Sequence, residues 1–111
     1  MDAKVKATAI AKLNDAFRQA FTGGQVILTA GVNELDNKSK AKLLHAVQNF
    51  TEFVKGNDPH GEHDFGKVEI ECQNYFWKID YYNLTLDGGS ADPTNPAVTT
   101  RVLTIMHNNE Y

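Results

Sequence analysis

One cysteine, Cys72, stands among the 111 residues, so the chain cannot close an internal disulfide. No apolar run approaches membrane-spanning length, and the first residues alternate lysine with alanine instead of forming the apolar core of a leader. The expected setting is therefore the cytoplasm, with no membrane contact. There, the glycosylation-type triplets Asn49-Phe50-Thr51 and Asn83-Leu84-Thr85 are chance matches. Low-complexity tracts, internal repeats and interdomain linkers are missing too, which predicts a single domain over residues 1–111. Strong basic charge is also lacking: the net charge of −3 argues against general nucleic-acid binding. The balance is nevertheless uneven. Residues 1–55 hold eight Lys/Arg against five Asp/Glu (+3), and residues 56–111 hold three against nine (−6). Such a split can orient a protein on a partner, and two ordinary solvated faces would produce it equally.

With 41% hydrophobic and 23% charged residues the chain is too apolar for disorder and long enough for a core. Ile10, Leu13, Phe17, Ala20 and Phe21 form a helical stripe over about Asp2 to Phe21, with Gly23-Gly24 as its stop. Val26-Ile27-Leu28-Thr29 reads as a short buried strand. Asp36 is placed to cap a second helix running to about Val54, closed by Gly56, with Leu43, Val47, Phe50 and Val54 as its apolar stripe. Between Lys67 and Tyr81 the alternation predicts a hairpin with its turn at Gln73-Asn74. That register faces Cys72, Ile70 and Val68 with Tyr75, Trp77 and Ile79, and pairs Glu69 with Lys78 and Lys67 with Asp80 on the other face. Residues 83–97 read as a long surface loop around Gly88-Gly89, Pro93 and Pro96. The β-branched segment Val98 to Met106 favours a final strand, although Asn95-Pro96 could cap a helix there. The fold class is thus α+β: two helices packed on a small, mostly antiparallel sheet in the order α-β-α-β-β-(β).

Chemistry concentrates in one loop. Asp58, His60, Glu62, His63 and Asp64 lie within seven positions. Imidazole and carboxylate are ligands for a divalent transition metal and also a general acid/base set. Asp58, His60, His63 and Asp64 are the metal candidates, and Glu62, His63 and Asp64 the catalytic ones. The two histidines stand three apart in a Gly/Pro-bracketed loop, whereas the helical zinc signature needs four. The structural reading is a tight loop in which Asp58 and Asp64 bond backbone N–H groups while His63 fills a hydrogen-bonding slot. No other cofactor is implied. Lys38, Lys40 and Lys42 crowd the start of the second helix against its dipole and are candidates for a partner contact, or simply solvated. Cys72 is expected to be a buried small hydrophobe, and His45 and His107 to be incidental. Among the aromatics, Tyr75, Trp77 and Tyr81 are assigned to the core and Phe76 to a helix contact. Tyr82 is left over for a partner. A metal-nuclease reading of Lys78 and Asp80 fails because the order of carboxylate and lysine is reversed.

Several segments resemble a known family: Leu13-Asn14-Asp15-Ala16-Phe17-Arg18, Thr22-Gly23-Gly24, Leu28-Thr29-Ala30-Gly31-Val32, Asn57-Asp58-Pro59, Gly61-Glu62-His63-Asp64-Phe65-Gly66, Phe76-Trp77-Lys78-Ile79-Asp80-Tyr81-Tyr82, Asp92-Pro93, Arg101-Val102-Leu103-Thr104-Ile105-Met106 and Glu110-Tyr111. In order and over nearly the whole chain they resemble DUF3768, a family of small bacterial proteins of unknown function. The family pattern often has tyrosine where His60 stands, which shifts weight to Glu62, His63 and Asp64. Its members are frequent on mobile elements, and by analogy the resemblance implies a factor that binds and blocks a host defence component. Two functions follow as expectations. One is a non-enzymatic protein that binds a protein or nucleoprotein partner. The other is a small metal-dependent hydrolase built on the 58–64 loop. Binding is favoured, because nothing completes an active-site set.

Overall fold

A computed structural model describes residues 2–111. Helix α1 (Ala3–Ala20) begins where the Asp2 carboxylate accepts the Val5 N–H at 2.8 Å, and it buries Ile10, Ala11, Asn14, Phe17 and Arg18. Two of those five are polar, so the buried stripe is rotated from the expected one. Phe21, not a glycine, adopts the left-handed conformation that ends the helix (φ 56°), its N–H bonded to the Phe17 carbonyl. Strand β1 (Gly24–Leu28) follows. It is a half-exposed edge strand instead of a buried one, with Ile27 47% exposed. A short helix the sequence did not announce, α2 (Ala30–Asn33), leads to α3 (Asn37–Gln48), capped as expected by Asp36 through the Ser39 N–H (2.7 Å).

Helix α3 stops six residues short of the predicted end (54 − 48), and Val54 is exposed. Leu43, Val47 and Phe50 are buried. The chain breaks there because Arg18 captures the carbonyls of Val47, Gln48 and Phe50, so residues 49–64 run as a loop back across α1. Gly56 therefore has no helix to close.

Strands β2 (Phe65–Ile70) and β3 (Gln73–Tyr82) form the hairpin, but the turn is Glu71-Cys72, both left-handed (φ 53° and 66°). Val68 faces Tyr75 and Gly66 faces Trp77. The slip is even in number, so the inward face keeps Val68, Ile70, Tyr75, Trp77 and Ile79, while Cys72 leaves it for the turn and both predicted cross-strand ion pairs are lost. Lys78 instead pairs with Asp80 on its own strand at 3.0 Å. Cys72 is an exposed turn residue. Phe76 lies on the face away from the helices, stacked with Phe65 and beside Tyr111. After the loop, Asn95 caps a 3-10 turn (Pro96–Val98), and strand β4 (Thr100–His107) completes a sheet of order β1-β4-β3-β2. Only β1 and β4 are parallel. The fold class is α+β as read. The helices cover one face, where Trp77, Leu103, Ile105, Leu43 and Val47 make the core. No helix among the described residues is long and apolar enough to cross a membrane.

The C-terminal 3-10 turn (Asn108–Glu110) ties the end of β4 to the start of α2. Glu110 accepts the Thr29 hydroxyl (2.6 Å) and the N–H groups of Gly31 and His107 (both 2.8 Å). A Cβ on Gly31 would sit 2.9 Å from the Glu110 carboxyl carbon, which explains that glycine. His107, expected to be incidental, is engaged as well, its ring between Gln73 and Asn109 and edge-on to Tyr75. The Thr29 hydroxyl, then those two N–H groups, hold the Glu110 carboxyl below its ordinary range. A depressed carboxyl contributes stability above its unfolded value and loses it as pH falls through the folded one. Glu110→Gln should therefore flatten the acid side of the stability–pH curve, measured by urea unfolding between neutral and acidic pH. An unchanged acid limb would show that the turn does not report on folding.

Candidate functional site

Two side-chain clusters fasten the 57–66 loop to one face of α1. In the first, the buried Asp58 carboxylate accepts the N–H groups of Glu62 (3.0 Å) and His63 (3.1 Å), the tight-loop role read from sequence. It holds His63 at φ 55°, a conformation few non-glycine residues adopt without such support. The His63 ring stacks on Phe53, with centroids 3.8 Å apart and planes within 2°. Its Nδ1 lies 3.0 Å from both Asp15 oxygens, and its Nε2 lies 3.7 Å from Asp58 Oδ2. Asp15 in turn accepts from Arg18 at 2.8 Å.

In the second cluster, Asn14 is fully buried on α1. It donates to the Glu62 carbonyl (3.0 Å) and to the Tyr81 hydroxyl (2.8 Å), and accepts from Arg101 Nε (2.8 Å). Tyr81 donates its own proton to Glu62 Oε1 at 2.8 Å, and Arg101 lies over the Tyr81 ring. Burial, with the Glu62 and Asp64 charges adding to it, holds the Tyr81 hydroxyl far above the usual phenol value. Burial likewise lowers the Arg101 guanidinium pKa. Asp64 is raised by burial first, then by the neighbouring Glu62 and Asp58 charges. Shifts of this kind mark active sites or structural networks. Here the Tyr81 hydroxyl is held by Asn14 and Glu62, and the Arg101 guanidinium by Asn14.

Of the sequence candidates, Asp58, Glu62, His63 and Asp64 come together, and His60 stays exposed outside the cluster. Among the described residues no three His, Cys, Asp or Glu side chains are placed to hold a metal ion. Three α1 residues (Asn14, Asp15, Arg18) and Tyr81 with Arg101 complete the network, and none was singled out as a site residue from sequence. The available signal was Asn14 and Arg18 one turn apart on the same face as Ile10 and Phe17. Polar residues on an apolar helix face need buried partners.

The partner candidates fall on two separate surfaces. Lys38 and Lys42 are exposed and Lys40 half-buried at the start of α3, with Lys42 3.7 Å from Glu71 at the hairpin turn. Tyr82 ends β3 at the opposite end of the strand, roughly 30 Å away at the usual rise per residue, and faces away from the helices.

A model of the family described as protein of unknown function (DUF3768) matches residues 28–110. No curated protein and no solved structure matches the chain. The matched span begins after α1, although α1 supplies half of the network that holds the 57–66 loop.

Proposed function

The chain belongs to the DUF3768 family of proteins of unknown function, and from that premise we propose a non-enzymatic protein that binds a protein partner on the uncovered face of its sheet. The observation that carries this reading is the distribution of side chains between the two faces. Asp58, Glu62 and His63 of the 57–66 loop lie on the helix side, held by internal partners. On the other side Ile27 (47% exposed), Leu86 (45%), Tyr82, Val102 and the Lys78–Asp80 pair border a depression of about 300 Å³. Apolar groups around a charged pair suit a partner that inserts one apolar anchor and hydrogen-bonds at its rim. The anti-defence role implied by the family resemblance is the finer form of this reading: blocking a host protein or nucleoprotein needs occlusion and no chemistry.

Ile27→Asp and Tyr82→Ala are expected to abolish capture of a specific partner that wild type retains from native bacterial lysate. Lys40→Glu on the remote helix should leave it unchanged. A partner that survives Ile27→Asp but is lost with Lys40→Glu would move the interface to α3.

The second reading, a metal-dependent hydrolase on the 58–64 loop, rests on the proximity of Glu62, His63 and Asp64. It requires His63 to exchange Asp15 for a metal ion. We expect chelator-stripped protein to melt at one temperature with or without Zn²⁺, Mn²⁺ or Mg²⁺, and His63→Ala to melt lower in every condition. A metal-specific rise that His63→Ala removes would favour the hydrolase.

A further inference from the structure

We infer that the chain forms a two-fold dimer through the outer edge of β2, with Lys67-Val68-Glu69 as its self-complementary core. The two-residue turn makes Ile70 and Gln73 a hydrogen-bonded pair, so the main-chain groups of Val68 and Gly66 also face β3. The Ile79 N–H to Asp64 carbonyl bond (2.9 Å) confirms that phase at the other end of the hairpin. Lys67 and Glu69 therefore direct their N–H and carbonyl groups outward, and β2 has no strand on that side. Unpaired edges of this sort recruit a further strand unless they are blunted.

The side chains choose the occupant. Lys67 and Glu69 are exposed on one face with Val68 between them on the other, and neither charge makes an ion pair among the described residues. An antiparallel copy related by a two-fold axis at Val68 sets Lys67 against the partner's Glu69 and Glu69 against the partner's Lys67. Opposite charges then stand directly across the interface on both sides of the axis. The outward main-chain groups are those of the same two residues, so the charge register and the hydrogen-bond register coincide. A groove of about 300 Å³ runs along this edge between Ala46, Asn49, Phe50, Thr51, Glu52 and Val68, with Lys67 and Glu69 at its border. The partner's Val68 and the end of its α3 would fill it. The other edge is less suited to pairing: β1 carries no charge to set a register, and its Leu28 carbonyl is already taken by the Asn33 side chain at 3.1 Å.

The dimer makes one continuous sheet with two copies of the uncovered face side by side. It does not depend on what that face binds. The test is sedimentation equilibrium on wild type, Lys67→Glu, Glu69→Lys and the exchanged double variant, each first shown folded by circular dichroism. Wild type should be dimeric, each single reversal should weaken association by about tenfold or more because two opposite-charge pairs become like-charge pairs, and the double variant should recover the wild-type constant. A wild type that stays monomeric throughout the dilution series overturns the inference. So does a dimer indifferent to both single reversals, or one that the double variant fails to restore.

Discussion

Arg18→Ala should lower the free energy of unfolding by about 3–5 kcal/mol, the range for removing one partner of a buried charged network. That is a large share of the roughly 5–15 kcal/mol available to a domain, so the variant should show a much reduced urea midpoint or fail to fold. Arg18 is 1% exposed. One guanidinium nitrogen donates to the carbonyls of Val47 (3.0 Å), Phe50 (3.1 Å) and Gln48 (3.2 Å), and the other reaches Asp15 at 2.8 Å. The group lies over the rings of Trp77 and Phe53, 5.1 and 5.5 Å from their centroids. Removing it leaves the carbonyls of Gln48 and Phe50 without that donor and Asp15 without its cation, and each unsatisfied buried group costs about 1–3 kcal/mol. Arg18→Met separates packing from hydrogen bonding, because it keeps the stem and loses the donors. It should fall close to Arg18→Ala. If Arg18→Met instead unfolds at the wild-type urea concentration, the carbonyl capture contributes nothing and the account of where α3 ends is wrong.

Gly66→Ala is expected to destabilise by about 2–3 kcal/mol, near the upper end for overpacking. A Cβ there would lie 2.7 Å from Trp77 Cε2 and 2.9 Å from Phe50 Cζ. Neither ring can retreat easily. Trp77 is fully buried, edge-on to Phe50 at 5.5 Å and to Phe53 at 6.1 Å, and it supports Arg18. Trp77→Phe removes the pyrrole edge that faces Gly66, so in that background the same Gly66→Ala should cost less. The double-mutant cycle should show coupling of about 1–2 kcal/mol, as contacting residues do. Additive effects would mean that the tryptophan does not set the register of β2 against β3.

That register shows how far local pattern reaches. Apart from Cys72, which became part of the turn, alternation from Val68 to Tyr81 identified correctly which residues face the helices, because side-chain direction in a strand is set residue by residue. Where the turn falls is not set that way. Glu71-Cys72 is an unpromising pair for two left-handed residues, and it forms because the Trp77 indole needs the space opposite Gly66. The same limit applies to α3. Leu43, Val47 and Phe50 were legible as buried, while the helix end depended on an arginine on another helix, 29 to 32 positions away.

The candidate loop divides in a similar way. Asp58 bonding the following N–H groups is a contact across four or five residues, which composition and turn chemistry make readable. The partners of His63 and Glu62 are not readable locally: Asp15 is 48 positions away and Tyr81 is 19. A run of carboxylates and imidazoles is compatible with metal binding, catalysis or fastening, and which one it serves depends on what stands opposite.

By itself the sequence determined the α+β class, the cap at Asp36, the inward set of the hairpin strands apart from Cys72, and the membership of the acidic loop. Each follows from propensity or periodicity within one or two turns of chain. Tertiary structure alone decided the parallel β1–β4 pairing, the end of α3, the hairpin register and the attachment of the loop to α1. Those rest on contacts whose strength comes from burial against residues far along the chain.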